Sequence, residues 1–101
     1  MLLFVDSDDI LESDAFELLM KEYDKGGCDF VTGSYSTMSE DGSKVAPLSQ
    51  RRSQGAPWAR VYSREVWRNL EFPEGFWFED TVQAYCINSR FREHYIDQVL
   101  Y

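Results

Sequence analysis

Leu2-Leu3-Phe4-Val5-Asp6-Ser7-Asp8-Asp9 decides how the rest of the chain is read. Four apolar residues run without a break and then meet three carboxylates in four positions. A short continuous apolar run is the pattern of a buried strand in a sheet covered on both faces. The acids stand where that strand would end, and open α/β sheets bind ligands at the carboxyl ends of their strands. Alternate carboxylates on a tight turn, Asp6 and Asp8, can converge on one hard cation. Mg²⁺ or Mn²⁺ prefers oxygen ligands and bridges a carboxylate to a diphosphate. The plainer alternative is that the acids cap the next helix, although stabilising a helix dipole needs only one of them.

Working outward, Asp14 and Glu17 have the spacing of a capping box. Phe16, Leu19, Met20 and Tyr23 then recur at helical spacing, and Lys25-Gly26-Gly27 stops the helix. Asp29 to Tyr35 reads as a second strand. Strand, helix and strand with short links predict a βαβ unit with parallel strands. Ser39-Glu40-Asp41-Gly42-Ser43 has turn chemistry, and the polar stretch from Ala46 to Gly55, with Arg51 and Arg52, reads as a mobile loop. A helix is expected from about Ser63 to Asn69, a turn at Phe72-Pro73-Glu74-Gly75, and a further helix from about Glu79 to Ser89. His94 to Tyr101 closes the pattern as a final strand or an irregular chain end. The class is α/β.

With 101 residues the chain holds one domain, residues 1–101. Its 44% hydrophobic and 16% aromatic content is too high for a disordered chain. No apolar run approaches the roughly 18–20 residues that span a bilayer. A net charge of −8 argues against nucleic acid, because phosphate contacts need clustered Lys and Arg. An anionic substrate would need a metal or a local Arg to offset that charge. Cys28 and Cys86 form no CxxC pair and read as two buried thiols. His94, lone and late, reads as structural.

Three families could use such an acidic turn. An EF-hand loop would need Gly at its sixth position, where this chain has Leu11. A haloacid-dehalogenase-type phosphohydrolase also starts with an apolar strand and Asp-x-Asp, but there the motif continues Gly-Thr, and here it continues Asp9-Ile10. That reading is kept as the alternative enzyme. The chain most resembles glycosyltransferase family 2, with the GT-A fold. Phe4-Val5-Asp6-Ser7-Asp8-Asp9-Ile10-Leu11 matches the Asp-x-Asp strand of that family. Gly55-Ala56-Pro57-Trp58-Ala59-Arg60-Val61-Tyr62 resembles its Trp-x-Lys segment, with Arg60 replacing Lys. Phe78-Glu79-Asp80-Thr81 resembles its aromatic-Glu-Asp segment, and the three motifs come in the family's order.

The resemblance implies an inverting, metal-dependent transfer of a sugar from a nucleotide-diphosphate donor to a hydroxyl on a glycan or lipid-linked acceptor, in cell-surface glycan synthesis. Asp6 would lie close to the nucleotide, Asp8 with Asp6 would hold Mn²⁺ or Mg²⁺ against the diphosphate, and Asp80 would be the general base. Arg60 would contact a phosphate. Trp58, Trp77 and Phe78 would form a wall for a sugar ring, and Glu79 would orient the site. The implied fold is a partial GT-A, a Rossmann-like mixed sheet flanked by helices that lacks the N-terminal nucleotide-binding half. Such a piece leaves an open apolar edge beside Leu2 to Val5, which favours a homodimer. The implied location is cytoplasmic, peripheral to the inner face of the membrane. The alternative of a different class is a folded remnant or binding module without activity.

Overall fold

The structure is a computed structural model that describes residues 1–39, 41–43, 51–52, 55–75, 77–78 and 80–101, with Arg51 and Arg52 described by their backbone alone. Among these residues the elements are β1 (Leu2–Leu3), α1 (Ala15–Asp24), β2 (Phe30–Tyr35), β3 (Arg51–Arg52), β4 (Arg60–Tyr62) and β5 (Glu93–Val99). A 3-10 turn covers Arg64–Trp67 and a widened helical turn covers Gln83–Ile87. The fold is α/β with a mixed sheet.

β2 is the axis of that sheet. β5 lies parallel on one side, with Thr32 opposite Tyr95. On the other side β4 pairs antiparallel with the first half of β2, Phe30 opposite Tyr62, and β3 pairs antiparallel with its end, Tyr35 opposite Arg51. β1 pairs antiparallel with β4, Leu2 opposite Tyr62. β1 and β2 therefore run the same way, as the βαβ pattern predicts, but they are not neighbours. β4 lies between them. The three residues of β4 are too few to show a period in the sequence, and they occur just before the segment read as a helix from Ser63.

Two apolar clusters cover the two faces. Ala15 and Leu19 of α1 pack on Val31, Val61 and Leu100. Phe30, Tyr62, Val66, Trp67 and Ile87 make the other cluster, with Phe4 and Phe72 against it. Side chains alternate along β4, so Val61 belongs to the first cluster and Tyr62 to the second. Gly33 is fixed by packing: a Cβ there would stand 2.7 Å from Leu100 Cδ1 and 3.2 Å from Leu100 Cβ. Any side chain there would push Leu100 from its place over β2.

Several sequence expectations need correction. The buried face of α1 centres on Ala15 and Leu19, while Phe16 is exposed. Phe16 lies one residue, or ~100°, round the helix from Ala15, outside the stripe that meets the sheet. Asp14 stands at the N-cap but makes no side-chain cap hydrogen bond. The expected helix over Ser63 to Asn69 is only the 3-10 turn Arg64–Trp67, and the expected helix from Glu79 begins after Asp80 and widens at Gln83–Ile87. Arg51 and Arg52 lie in a strand, not a loop. Of the rest of the polar stretch read as a loop, only Gly55 is among the described residues.

The Ser39–Ser43 turn forms as its chemistry suggests, though Glu40 is outside the described residues. Gly42 N–H donates to the Ser39 carbonyl at 2.8 Å, and Gly42 takes a φ of 82°. Asp41 accepts from the hydroxyls of Ser39 and Ser43 and from the Ser43 N–H. Those hydrogen bonds lower the Asp41 pKa from 3.8 to about 2. A depressed carboxylate stabilises its turn above the unfolded pKa and loses that contribution as pH falls through the folded one. Carbon-detected titration of the Asp41 carboxyl should give a midpoint about 2, with the turn loosening only between pH ~4 and ~2. A midpoint at the ordinary 3.8 would show that the hydroxyls do not hold it.

Candidate functional site

The acidic turn begins where β1 ends. Asp9 N–H donates to the Asp6 carbonyl at 3.2 Å, closing the turn. Asp6, Asp8 and Asp9 are all exposed. Beside them is a cleft of about 250 Å³ lined by Phe4, Val5, Asp6, Pro57, Trp58, Phe72 and Asp80. The first and the last of the three sequence motifs thus contribute an acidic residue each to the lining of one cleft, and the middle motif contributes Trp58.

A backbone kink puts Trp58 there. Ala59 takes a φ of 57°, a left-handed conformation that non-glycine residues rarely adopt. Its carbonyl accepts from Gly33 N–H at 2.9 Å, which holds it in place. The kink turns the chain before β4, and Trp58 makes a parallel bridge with Phe4 instead of continuing the antiparallel pairing. Strained residues of this kind persist where the surroundings over-determine them, and functional sites are enriched in them. The Trp58 ring stacks on Tyr101 at 4.9 Å with 7° between planes, and Tyr35 meets it edge-on at 4.8 Å. Trp58 is therefore a braced, half-buried wall.

Asp80 is partly buried and opens a helical segment tied to the sheet by side chains. Its carbonyl accepts from Gln83 N–H at 2.9 Å. The fully buried Gln83 accepts from the Tyr62 hydroxyl at 2.6 Å and donates to Asn88 Oδ1 at 2.7 Å. The carbonyl of Pro57, a cleft residue, lies 3.0 Å from the same hydroxyl and shares its proton. Burial pushes the Tyr62 pKa well up, so the hydroxyl stays a donor.

No protein-family model, curated protein or solved structure matches this chain.

The other residues expected at a site fall elsewhere. Arg60 is 1% exposed and does not line the cleft. Its Nε donates to Thr32 Oγ1 at 2.9 Å, its Nη1 donates to the Ala56 carbonyl, and its guanidinium lies 5.9 Å from the Phe30 ring centroid. The alternation of β4 turns Arg60 to the same inward face as Tyr62. Trp77 and Phe78 are 91% and 74% exposed and are not among the residues that line this cleft. Glu79 lies outside the described residues. His94 Nε2 sits 3.4 Å from Glu22 at the surface. Cys28 and Cys86 are free and half-buried.

Among the described residues, no three His, Cys, Asp or Glu side chains converge on a common point for a metal ion. Asp6 and Asp8 offer two carboxylates on one exposed turn. In general a cation of the Mg²⁺ type takes one or two carboxylates and fills its shell with phosphate oxygens and water. Among the described residues, no helix is long and apolar enough to cross a membrane. Sequence reading missed Phe4, Val5, Pro57 and Phe72 as cleft residues and Gln83 as a tether. For Gln83 there was a signal, an uncharged polar residue on the face that carries Ile87.

Proposed function

We propose that this chain carries the metal- and acceptor-side part of the active site of an inverting glycosyltransferase of the family 2 type, on a mixed sheet of GT-A kind. The observation that supports it is that Asp6, Trp58 and Asp80, one from each of the three ordered motifs, line a single cleft. In this reading Asp6 and Asp8 would hold a divalent cation, and its positive charge would be available to a donor diphosphate and its leaving group. Asp80 takes the proton from the acceptor hydroxyl as that oxygen attacks the sugar carbon. Trp58 gives the cleft an aromatic side against which a sugar ring or base can pack. Without a cation, a chain with net charge −8 would repel a nucleotide diphosphate.

The test is a panel of nucleotide sugars with MnCl₂, read as release of nucleoside diphosphate. Metal-dependent release that disappears in Asp80→Asn supports the transferase. Hydrolysis of a generic phosphate ester that depends on Asp6 would replace it with a phosphohydrolase. Silence in both assays would leave a folded binding module or remnant.

A further inference from the structure

Tyr101 lies at a junction of three segments that are distant in sequence. Its hydroxyl accepts a hydrogen bond from Asp6 N–H at 3.0 Å. Its ring covers Trp58, stacked at 4.9 Å. Its carbonyl accepts from Ser36 N–H at 2.9 Å, just beyond β2, and the neighbouring Leu100 carbonyl accepts from Glu12 N–H at 3.1 Å. The residues after β5 therefore tie down the acidic turn at Asp6 and the loop behind it at Glu12, while bracing the aromatic wall of the cleft. Burial and the Asp9 carboxylate beside the hydroxyl both push the Tyr101 pKa up, so the group stays protonated across the working range.

We propose that Tyr101 is the positioning residue of the acidic turn, fixing the Asp6 backbone and the Trp58 ring so that one metal-bound diphosphate can meet both. This rests on the donor-site reading above. Tyr101 does not line the cleft, so it acts through Asp6 and Trp58 and not on the ligand. The Asp6 N–H is the lever. An amide held by a hydroxyl fixes the direction in which the strand leaves β1, and hence where the Asp6 carboxylate points. A free amide on a short exposed turn would sample several directions, and a cation that needs two carboxylates at once would bind more weakly.

The variant is Tyr101→Phe in the whole chain, which keeps the ring on Trp58 and removes only the hydroxyl. Three quantities are compared with the wild type: amide hydrogen exchange along residues 6–9, thermal midpoint, and affinity for UDP in MnCl₂. Exchange at Asp6 should accelerate at least tenfold while exchange in β2 and the thermal midpoint stay unchanged. UDP affinity should fall about threefold to tenfold, the share of one lost hydrogen bond. Unchanged exchange at Asp6 would overturn the proposal, as would faster exchange spread over the whole sheet, or local loosening with unaltered UDP affinity. If the wild type binds no UDP at millimolar concentration, the donor reading falls, whatever the part played by Tyr101. The exchange data would still decide whether its hydroxyl holds the turn.

Discussion

Asp80→Asn should reduce sugar transfer by about 100- to 10,000-fold while leaving donor affinity within a few-fold of the wild type. The amide has the size of the carboxylate, and Gln83 N–H donates to the Asp80 main-chain carbonyl, which the substitution leaves in place, so the helical start should survive. It cannot take a proton at neutral pH. The loss belongs to the transition state, where the acceptor hydroxyl gives up its proton, and so it should appear in kcat and not in the donor KM. In free-energy terms about 3–5 kcal/mol of barrier is at stake. Asp6→Asn should behave in the opposite way, weakening donor binding first. Initial rates of nucleoside diphosphate release over a donor titration separate the two patterns. An Asp80→Asn enzyme with normal turnover would remove Asp80 from the chemistry and leave its place in the cleft as packing.

The largest effect on stability is expected at Phe30. Its ring is fully buried, stacked on Tyr62 at 5.5 Å, and lies under the Arg60 guanidinium. Phe30 also sits at the start of β2, opposite Tyr62 on one side and Glu93 on the other. Phe30→Ala should cost about 3–5 kcal/mol through lost burial and the cavity left behind. Total stabilities of small domains are about 5–15 kcal/mol, so much of the margin would go. Loss of the ring also removes the apolar surface against which Arg60 is held, and a buried cation without its surroundings is costly. The urea midpoint should drop by roughly 2 M at slopes usual for this size. Phe30→Leu should recover more than half of that. A drop below roughly 0.5 M would mean that the second cluster is not packed as described.

How much of this was legible follows from where the information lies in the chain. β1, α1 and β2 could be read because each carries a local signal: an unbroken apolar run, a helical period ended by two glycines, and a stretch rich in Phe, Val, Thr and Tyr. β4 could not, because three residues show no period and its pairing between β1 and β2 is a tertiary event. The kink at Ala59 had no signal at all, since alanine is an unusual residue at positive φ. Arg60 illustrates the limit most plainly. From sequence a basic residue after a Trp resembles a phosphate ligand, yet the alternation of an unrecognised strand turns it into the core. The acids fared differently. Asp6 and Asp80 could be proposed from motif order, while their meeting in one cleft depends on contacts between distant segments, which no local pattern records. Tyr101 is the same kind of case: its hydroxyl reaches an amide 95 residues away.

Calorimetric titration of the chain with UDP in MnCl₂ puts the donor cleft to the test most directly. Saturable binding that needs the metal, and that vanishes in both Asp6→Ala and Asp8→Ala with the thermal midpoint preserved, is the expected result. Absence of binding at millimolar UDP, or binding that neither substitution changes, would contradict the assignment of the acidic turn as a diphosphate and metal site.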